Sequence, residues 1–311
     1  MNGEESLRLA VLADIHDNLP ALEAVVEDLC LLDVDGVIGA GDYLMRGPFP
    51  QETVDLLRSL DAWLIRGNTD GYVLDCAAGQ APEAWYASEQ WAALRWTCRH
   101  VDEETLEYVG SLPEQTTVHF DDAEPIRIVH GRPDEPMGRL IPSGDAEALH
   151  WFERAGFLEG DTARSRLAEE LDGVGEAVVV CGHTHIPWFQ EEGGRLVLNP
   201  GAVSGSLNED PRAHYALLTW TDEGWRAEHR AVAYDVGRLA TAFWETGYLD
   251  AGGAMARLFL LTVETGKNLV GPFFAHVDRV ARQSGHDTWS VAPDPVWHRA
   301  AATFSWPDGY A

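Results

Sequence analysis

The sequence is poor in basic residues, because its 311 residues include 22 lysines and arginines against 51 aspartates and glutamates. The formal net charge at pH 7 is −29, and Lys267 is the only lysine. A chain with this charge repels nucleic-acid backbones and anionic membranes at long range. The composition therefore argues against an extended nucleic-acid surface or membrane binding. It is still compatible with a local positive site for one phosphate group.

Cysteine pairs and long apolar runs are also absent. The cysteines form no C-x-x-C pair, so neither a disulfide framework nor a zinc ribbon is expected from Cys30, Cys76, Cys98 and Cys181. No run of about 18 apolar residues occurs, so no membrane-spanning segment is predicted. Residues 1–5 are acidic and do not resemble a signal peptide, and the expected location is the cytoplasm.

The first third of the chain alternates strand-like and helix-like segments. Residues 7–13, 36–40 and 62–65 have the composition of buried strands, while residues 19–32 and 51–60 have helical apolar spacing. This β-α-β-α-β order predicts parallel strands joined by crossover helices. The carboxyl ends of such strands meet at one edge of the sheet, where catalytic groups usually lie.

The middle of the chain has a different pattern. Residues 82–112 are predicted to be wholly helical, and their tryptophans, Trp85, Trp91 and Trp96, are expected to pack on the sheet rather than to bind substrate. Seven short strands follow, at residues 115–120, 126–129, 177–181, 188–190, 195–198, 214–220 and 225–231. A helical insertion at residues 143–171 interrupts them. Two mixed sheets covered by helices account for this order, which predicts an α/β fold of the αββα sandwich type.

Two regions are predicted along the chain. Residues 1–234 form the sandwich domain, and residues 235–311 form a helical extension packed on it. The extension contains an apolar stretch at residues 255–263. Three roles are open for it, namely a lid, a dimerisation element that makes a homo-oligomer, or additional packing.

Residue types that bind metals follow several predicted strands. They are Asp14, His16, Asp42, Asn68, His130, His183 and His185. One such residue alone is more often a capping or hydrogen-bonding residue. Seven of them at successive predicted strand ends indicate a metal site. Their carboxylate, amide and imidazole groups form a mixed nitrogen and oxygen set that suits Mn, Fe, Zn or Ni better than Ca.

The order of these segments, D-x-H, G-D, G-N, H and G-H-x-H, resembles the motif series of the calcineurin-like metallophosphoesterases. The resemblance covers residues 7–233 and leaves the C-terminal extension without a role. Two segments, D-I-H-D-N from Asp14 and L-N-P-G-A from Leu198, are most similar to the compact prokaryotic phosphodiesterase branch. The resemblance implies the αββα sandwich of that family and a phosphoesterase with two divalent transition-metal ions per chain, manganese being the first expectation.

The resemblance also implies a role for each candidate ligand. One ion is expected to take Asp14, His16, Asp42 and His185, and the other Asp42, Asn68, His130 and His183, so that Asp42 bridges them. A metal-bridging hydroxide would then attack phosphorus, with Asp42, Asn68 and Arg46 as the catalytic residues. The metal centre keeps a net positive charge, which attracts a phosphate despite the acidic surface. Asn18 and Asp70 are expected to orient the ligands.

Met45 and Thr69 depart from the protein-phosphatase branch, which has an aspartate and a histidine at these positions. That histidine is a candidate general acid, and such groups typically contribute about 10²–10⁴-fold to the rate. Both partners are replaced together, which indicates a different subfamily rather than a damaged site. The replacement predicts a preference for diesters, or esters with good leaving groups, over alkyl monoesters.

Three arginines lie close to the ligand segments. Arg46 occupies the position of a phosphate-binding arginine in the protein-phosphatase branch, and two roles are open for it. Its guanidinium could hold two phosphate oxygens, or it could form a salt bridge within its loop. Arg66 and Arg132 are expected to have structural roles.

These features together predict a metal-dependent phosphoesterase, first of all a phosphodiesterase that hydrolyses small phosphoesters. One alternative is a phosphomonoesterase acting on a nucleotide or a phosphoprotein. A second alternative, of another class, is a non-catalytic metal-binding or interaction scaffold. The complete set of seven ligands favours an enzyme, since a scaffold has no need to keep all of them.

Overall fold

The first of two sheets contains the strands at both ends of the sandwich domain. A computed structural model describes residues 7–158, 167–286 and 291–307. The strands of this sheet are β1 (Arg8–Leu12), β2 (Gly36–Gly39), β3 (Ala62–Leu64), β9 (Ala213–Thr221) and β10 (Gly224–Val232). Their order is β10-β9-β1-β2-β3, with β1, β2 and β3 parallel and β9 antiparallel to both β1 and β10. Helices α1 (Leu19–Leu29) and α2 (Pro50–Arg58) connect the parallel strands, as the sequence predicts.

The second sheet is formed by the middle of the chain. Its strands are β4 (Gln115–Val118), β5 (Ile126–Val129), β6 (Val178–Val180), β7 (Trp188–Glu192) and β8 (Arg195–Asn199). Their order is β4-β5-β6-β8-β7, with β5, β6 and β8 parallel and an antiparallel strand at each edge. The predicted insertion contains α7 (Ala146–Arg154) and α8 (Leu167–Glu170), while residues 159–166 lie outside the described residues.

Apolar side chains from both sheets form the core between them. Alternation along β1 places Val11 against the second sheet and Leu12 against the outer layer that contains α1. Ile38, Ile128 and Leu218 share the layer of Val11, and all three are fully buried. Helices α7 and α8 pack on the outer face of the second sheet together with the buried Cys181, Trp188 and Val197. This arrangement confirms the predicted αββα sandwich.

The structure corrects the single long helix predicted at residues 82–112. This region contains α4 (Glu83–Ala87), a 3₁₀ turn (Glu89–Trp91), α5 (Ala92–Cys98) and α6 (Glu103–Ser111). Ser88 has extended backbone angles, and the carboxylate of Asp102 caps α6 by accepting from the Thr105 amide. Apolar spacing alone therefore concealed two helix boundaries. The sequence reasoning also missed α3 (Asn68–Ala77), which begins directly after β3.

In the described part of the chain, four helices follow β10. They are α9 (Val236–Glu245), α10 (Tyr248–Thr265), α11 (Val270–Gln283) and α12 (Asp294–Thr303). The helical character predicted for residues 235–311 is therefore confirmed for the described residues, while the domain boundary at residue 234 stays a prediction. No helix in the described ranges is long and apolar enough to cross a membrane.

These C-terminal helices share one apolar cluster with α3 and α5. The three tryptophans of residues 82–112 belong to this cluster, so their predicted packing on the sheet is wrong. The Trp96 ring, for example, lies edge-on to Tyr248, with 4.8 Å between the ring centroids. The physical reason is that an apolar helix face packs against any apolar surface that is close in space. Here that surface belongs to α10, which lies far from these tryptophans along the chain.

Leu218 tests the contribution of the core between the sheets. We expect Leu218→Ala to lower the free energy of unfolding by about 2–5 kcal/mol, because it leaves a cavity between two rigid sheets. The same substitution at Leu31, which is 81% exposed, should change it by less than about 0.5 kcal/mol. Urea-induced unfolding of both variants measures the difference. Equal losses would contradict the assignment of Leu218 to a closely packed core between the sheets.

Candidate metal centre

All seven candidate ligands lie at the carboxyl ends of strands. Asp14 and His16 follow β1, Asp42 follows β2, and Asn68 begins α3 directly after β3. His130 follows β5, and the pair His183 and His185 follows β6. The carboxyl ends of both sets of parallel strands open on the same edge of the sandwich. The structure therefore brings all seven side chains of the sequence prediction into one cluster.

One half of this cluster contains Asp14, His16 and His185. The Nε2 atoms of His16 and His185 are 3.1 Å apart, and His185 Nε2 is 3.4 Å from Asp14 Oδ1. All three side chains are buried. Two imidazole nitrogens and a carboxylate oxygen at these distances form a compact set of donor atoms for a cation.

The other half contains Asn68, His130 and His183. Asn68 Oδ1 is 3.0 Å from His130 Nε2 and 2.8 Å from His183 Nδ1. Asp42 lies between the two halves, with Oδ1 3.4 Å from His130 Nε2 and Oδ2 3.8 Å from His16 Nε2. Its two carboxylate oxygens therefore face different halves of the cluster.

Backbone carbonyl groups fix the orientation of two of the imidazoles. His130 Nδ1 donates to the Ala40 carbonyl and His185 Nδ1 donates to the Gly205 carbonyl, both at 2.8 Å. Burial lowers the pKa of His185, so this imidazole is neutral, and donation through Nδ1 leaves its Nε2 without a hydrogen. The Nε2 atoms of both residues face the cluster. Such an arrangement is typical of histidines that bind metals.

Left-handed backbone conformations occur at five of the seven positions. The φ angles are 55° at Asp14, 50° at His16, 59° at Asp42, 70° at His183 and 59° at His185. Residues other than glycine rarely adopt such angles, and their concentration at one place is typical of functional sites. At each of these residues the left-handed angles turn the chain sharply after its strand, so that the side chain stays close to the edge of the sheet.

Burial shapes the protonation of the carboxylates. It raises the pKa of Asp14 to about 7. Burial acts on Asp42 in the same direction, but His130, His16 and Arg46 outweigh it and hold the pKa of Asp42 well below its usual range. The positively charged groups near Asp14 therefore do not compensate for the effect of burial on its carboxylate.

The imidazoles respond to burial in the opposite direction. It lowers the pKa of His183 and of His185 to about 3, so both are neutral and have a lone pair to donate. His130 differs, because Asp42 and Asp14 overcome the effect of burial and raise its pKa to about 9. Imidazoles, carboxylates and an amide oxygen converge here, and with the proton of His130 released this donor set fits divalent transition-metal ions.

Asp70 connects two of the loops that carry the ligands. Its Oδ2 accepts from the amides of Asp42 and Gly67 at 2.9 and 2.8 Å, and its Oδ1 accepts from the amides of Tyr43 and Leu44 at 2.9 Å. Burial raises the pKa of Asp70 to about 7. Asp70 thus contacts the backbone of a candidate ligand rather than its side chain.

Asn18 has a more distant relation to the cluster. Its side-chain oxygen caps α1 by accepting from the Ala21 amide, and its side-chain amide donates to Ser204 Oγ and Tyr234 OH. The Ser204 amide donates to the Asp14 carbonyl. Asn18 is therefore linked to Asp14 through a neighbouring loop.

The three arginines singled out from the sequence have different environments. Arg46 Nη1 is 3.3 Å from His185 Nε2, and this arginine forms no ion pair with a carboxylate in the described ranges. Arg66 pairs with Glu114 at 2.7 Å, and Arg132 pairs with Asp134 at 2.8 Å, both on the surface. The salt-bridge role left open for Arg46 is therefore not observed.

Asp17 is a charged residue in the loop after β1 that the fold buries. It follows His16 in a polar segment, yet it is fully buried, and burial raises its pKa well above the usual range. Its amide donates to the Tyr43 carbonyl, and its carbonyl accepts from the Phe49 amide. The tight loop after β2 covers this side chain, and local polarity does not reveal such a long-range contact.

A cavity of about 380 Å³ adjoins the cluster and contacts His16, His183 and His185. Arg46 and Thr69 line it close to these histidines. Further lining residues, absent from the sequence prediction, are Tyr72, Trp91, Arg139, Phe157, Met255, Phe259 and Phe274. No motif marks these positions, because they come from separate helices and loops.

Comparisons with known proteins agree with this architecture. The model of the calcineurin-like phosphoesterase superfamily domain matches residues 7–223. The uncharacterised protein MJ0912 of Methanocaldococcus jannaschii is 28% identical over 204 residues, which are 66% of this chain and 72% of that protein.

Two crystal structures show a similar fold. The metallophosphoesterase of Sphaerobacter thermophilus has a TM-score of 0.61 and 24% identity, and the match covers 84% of this chain and all of that one. The hypothetical protein PH1004 of Pyrococcus horikoshii also has a TM-score of 0.61, with 18% identity over 84% of this chain and 98% of its own. The family match spans more than half of the sequence and includes every candidate ligand. The chain belongs to the calcineurin-like phosphoesterase superfamily.

Proposed function

We propose that this protein is a hydrolase of small phosphodiesters that uses two divalent transition-metal ions, with manganese as the first expectation. The observation that carries the proposal is the convergence of seven buried or half-buried donor side chains beside a cavity of small-molecule size. Cavities of roughly 300–1,000 Å³ are typical of small-ligand sites. Two alternative functions are a phosphomonoesterase and a non-catalytic scaffold, and experiments can distinguish both from a phosphodiesterase.

The proposed ligand assignment follows the two halves of the cluster. Asp14, His16, Asp42 and His185 would hold one ion, and Asp42, Asn68, His130 and His183 would hold the other. The opposite orientation of the two Asp42 oxygens supports a bridging role for this carboxylate. Asp70 and Asn18 would keep the ligand-bearing loops in position through their backbone and side-chain hydrogen bonds.

When bound, the ions would supply Lewis-acid activation of a water molecule and would neutralise charge on the phosphoryl oxygens. Arg46 lies at the boundary of the cluster and the cavity, and its planar guanidinium suits two oxygens of a phosphate. Arg46 acts on Asp42 through its charge but forms no ion pair with a described carboxylate, and it lines the cavity where an anionic substrate would bind. Asn68 would orient the imidazoles of His130 and His183 through their contacts with its side-chain oxygen.

Asp42 tests the assignment most directly. We expect the purified protein to contain two equivalents of transition metal and to hydrolyse bis(4-nitrophenyl) phosphate. Asp42→Asn keeps the shape of the side chain but removes its charge. This variant should lose metal and lower kcat/KM by more than about 100-fold. The loss of a residue that only hydrogen-bonds to a metal ligand costs about 10–100-fold, and the loss of the ligand itself should cost more. Elemental analysis and steady-state kinetics measure both effects.

The control is Asp134→Asn, which makes the same change at an exposed aspartate that contacts Arg132. It should retain full metal content and activity. A wild-type protein that holds no metal and hydrolyses none of the phosphoesters would support the scaffold instead.

Gly67 allows the position of Asp42 to be tested without changing a ligand. Its backbone is extended rather than left-handed, so conformational freedom is not the reason for glycine here. A Cβ atom at this position would lie 2.2 Å from Asp42 Oδ1 and 2.5 Å from the Asp42 amide nitrogen. Any side chain would therefore displace Asp42.

We expect Gly67→Ala to weaken metal binding about 10–100-fold, as expected when the surroundings of a ligand are disturbed. Gly71→Ala, one turn further along α3, is the matched control, because a Cβ there meets no atom within 4 Å. Titration of the metal-free proteins with manganese, followed by calorimetry, measures the two affinities. Equal affinities would argue against the placement of Asp42 at the metal centre.

The environment of Thr69 supports the preference for diesters. Its hydroxyl donates to the Leu44 carbonyl, and both Thr69 and Met45 line the cavity beside the histidines. Neither side chain can protonate a leaving group. Alkyl monoesters, whose alkoxide leaves only with difficulty unless it is protonated, should therefore be poor substrates.

We expect kcat/KM for bis(4-nitrophenyl) phosphate to exceed that for an alkyl monophosphate by at least about 10²-fold. The double variant Met45→Asp and Thr69→His should raise alkyl monoester turnover selectively, since it introduces an imidazole with a carboxylate partner. Met45 has a φ of 73°, which aspartate tolerates better than methionine. Faster turnover of the alkyl monoester by the unmodified protein would favour the phosphomonoesterase.

A further inference from the structure

The cavity beside the metal centre has walls from widely separated parts of the chain. Met255 and Phe259 come from α10, Phe274 comes from α11, and Phe157 follows α7. Helices α10 and α11 lie beyond residue 223, where the superfamily match ends. Part of the cavity wall therefore comes from helices outside the matched family domain, while the other lining residues lie within it.

Aromatic rings form much of these walls. Tyr72 and Trp91 face the cavity from α3 and the turn before α5, opposite the phenylalanines. The Tyr72 and Trp91 rings meet edge to face at 5.9 Å, and Trp85 stacks behind Trp91 at 4.0 Å between centroids. Rings held in this way present fixed faces and edges, which bind a flat aromatic group better than a flexible chain.

Two arginines accompany these rings. The Arg46 guanidinium carbon lies 5.7 Å from the centre of the Phe259 ring, and that of Arg139 lies 4.6 Å from the centre of the Phe157 ring. Like Arg46, Arg139 forms no ion pair with any carboxylate that the structure describes. Each cation therefore lies at the junction between the polar end of the cavity and its aromatic walls. This pattern suits a ligand with an anionic head and a ring attached to it.

We propose that this cavity binds the aromatic ester group of the substrate, so that the protein prefers aryl phosphoesters of one or two rings. The inference deepens the proposed function and rests on it. The phosphoryl group would lie at the histidine cluster between Arg46 and Arg139, and the ring would lie among Tyr72, Phe259 and Phe274. A cavity of about 380 Å³ has room for such a group but not for a polymer.

The chemistry of the leaving group agrees with this choice. In the hydrolysis, water releases one proton to solvent and its oxygen forms the new bond to phosphorus, while the bond from phosphorus to the aryl oxygen breaks. The aryl oxide keeps the electron pair of the broken bond and later takes a proton from solvent. An aryl oxide is a weak base, so it leaves without a general acid, whereas an alkoxide needs one. The absence of an imidazole at Thr69 is therefore tolerable for an aryl ester.

Binding of phosphonates tests the proposal separately from turnover, because their carbon–phosphorus bond is not hydrolysed. We expect the manganese-loaded full-length protein to bind phenylphosphonate at least about tenfold more tightly than methylphosphonate in isothermal titration calorimetry. Hexylphosphonate should bind more weakly than phenylphosphonate, because five aromatic side chains line the cavity and a flexible chain gains less from contact with rings. Equal affinities for the phenyl and methyl compounds, or tighter binding of the hexyl compound, would overturn the proposal.

Two variants change the cavity in opposite directions. Phe274→Ala removes a half-buried ring from the wall, and Val270→Trp adds volume at the start of α11. Both should reduce the preference for phenylphosphonate about tenfold while the affinity for methylphosphonate stays unchanged. Phe189→Ala, at a 41% exposed position on β7 outside this cavity, is the matched control and should retain the preference. Thermal unfolding followed by circular dichroism verifies that each variant is folded.

The outcomes also separate the two proposals. Suppose that methylphosphonate binds and the protein hydrolyses phosphodiesters, but phenylphosphonate binds no more tightly than methylphosphonate. The aromatic preference is then wrong and the proposed function stands. If no phosphonate binds and no phosphoester is hydrolysed by the metal-loaded protein, the proposed function fails as well. A preference that survives both cavity variants would place the aromatic site elsewhere and overturn this inference.

Discussion

The carboxylate of Asp70 holds together the loops on which the candidate metal centre depends. It accepts four backbone amide hydrogens, three from residues 42–44 and one from Gly67, and thereby joins the turn after β2 to the start of α3. Buried amides without partners would be costly, so this one side chain allows the chain to leave two neighbouring strands in tight reversals. Asp42 and Asn68 are carried by these reversals, and through them the remaining ligands reach hydrogen-bonding distance.

The need to keep each side chain near the edge of the sheet accounts for the left-handed backbone angles at many of the ligands. An extended chain would carry each side chain away from the sheet edge, whereas a reversal immediately after the strand returns it to the centre. The conformational cost at Asp14, His16 and Asp42 is shared among neighbouring backbone bonds, such as those from the amides of Ile15 and His16 to the Asp42 carbonyl. The cluster is thus a property of the folded sandwich, and no single loop could form it.

The sequence was sufficient to predict the sandwich, the parallel strands and the seven residues that meet at their ends, because the carboxyl ends of parallel strands share one edge. It was not sufficient where contacts between distant segments decide the outcome. Asp17 has the composition of a solvated loop but is covered by the loop after β2. Residues 82–112 have continuous helical spacing, yet Ser88 and Asp102 divide them. The cavity walls had no signal in the sequence, since Trp91 and Phe259 become neighbours of the site only through the packing of α10.

The position of α10 and α11 in the chain has a consequence for biosynthesis. Every candidate ligand precedes residue 186, whereas Phe259 and Phe274 are translated later. As the chain leaves the ribosome, the ligand-bearing segments emerge before the helices that complete the cavity wall. The order of synthesis therefore presents the candidate ligands before Phe259 and Phe274, although Tyr72 and Trp91 of the same cavity are translated earlier. The cavity beside the candidate ligands is therefore complete only after α10 and α11 have been translated and have folded onto the sandwich.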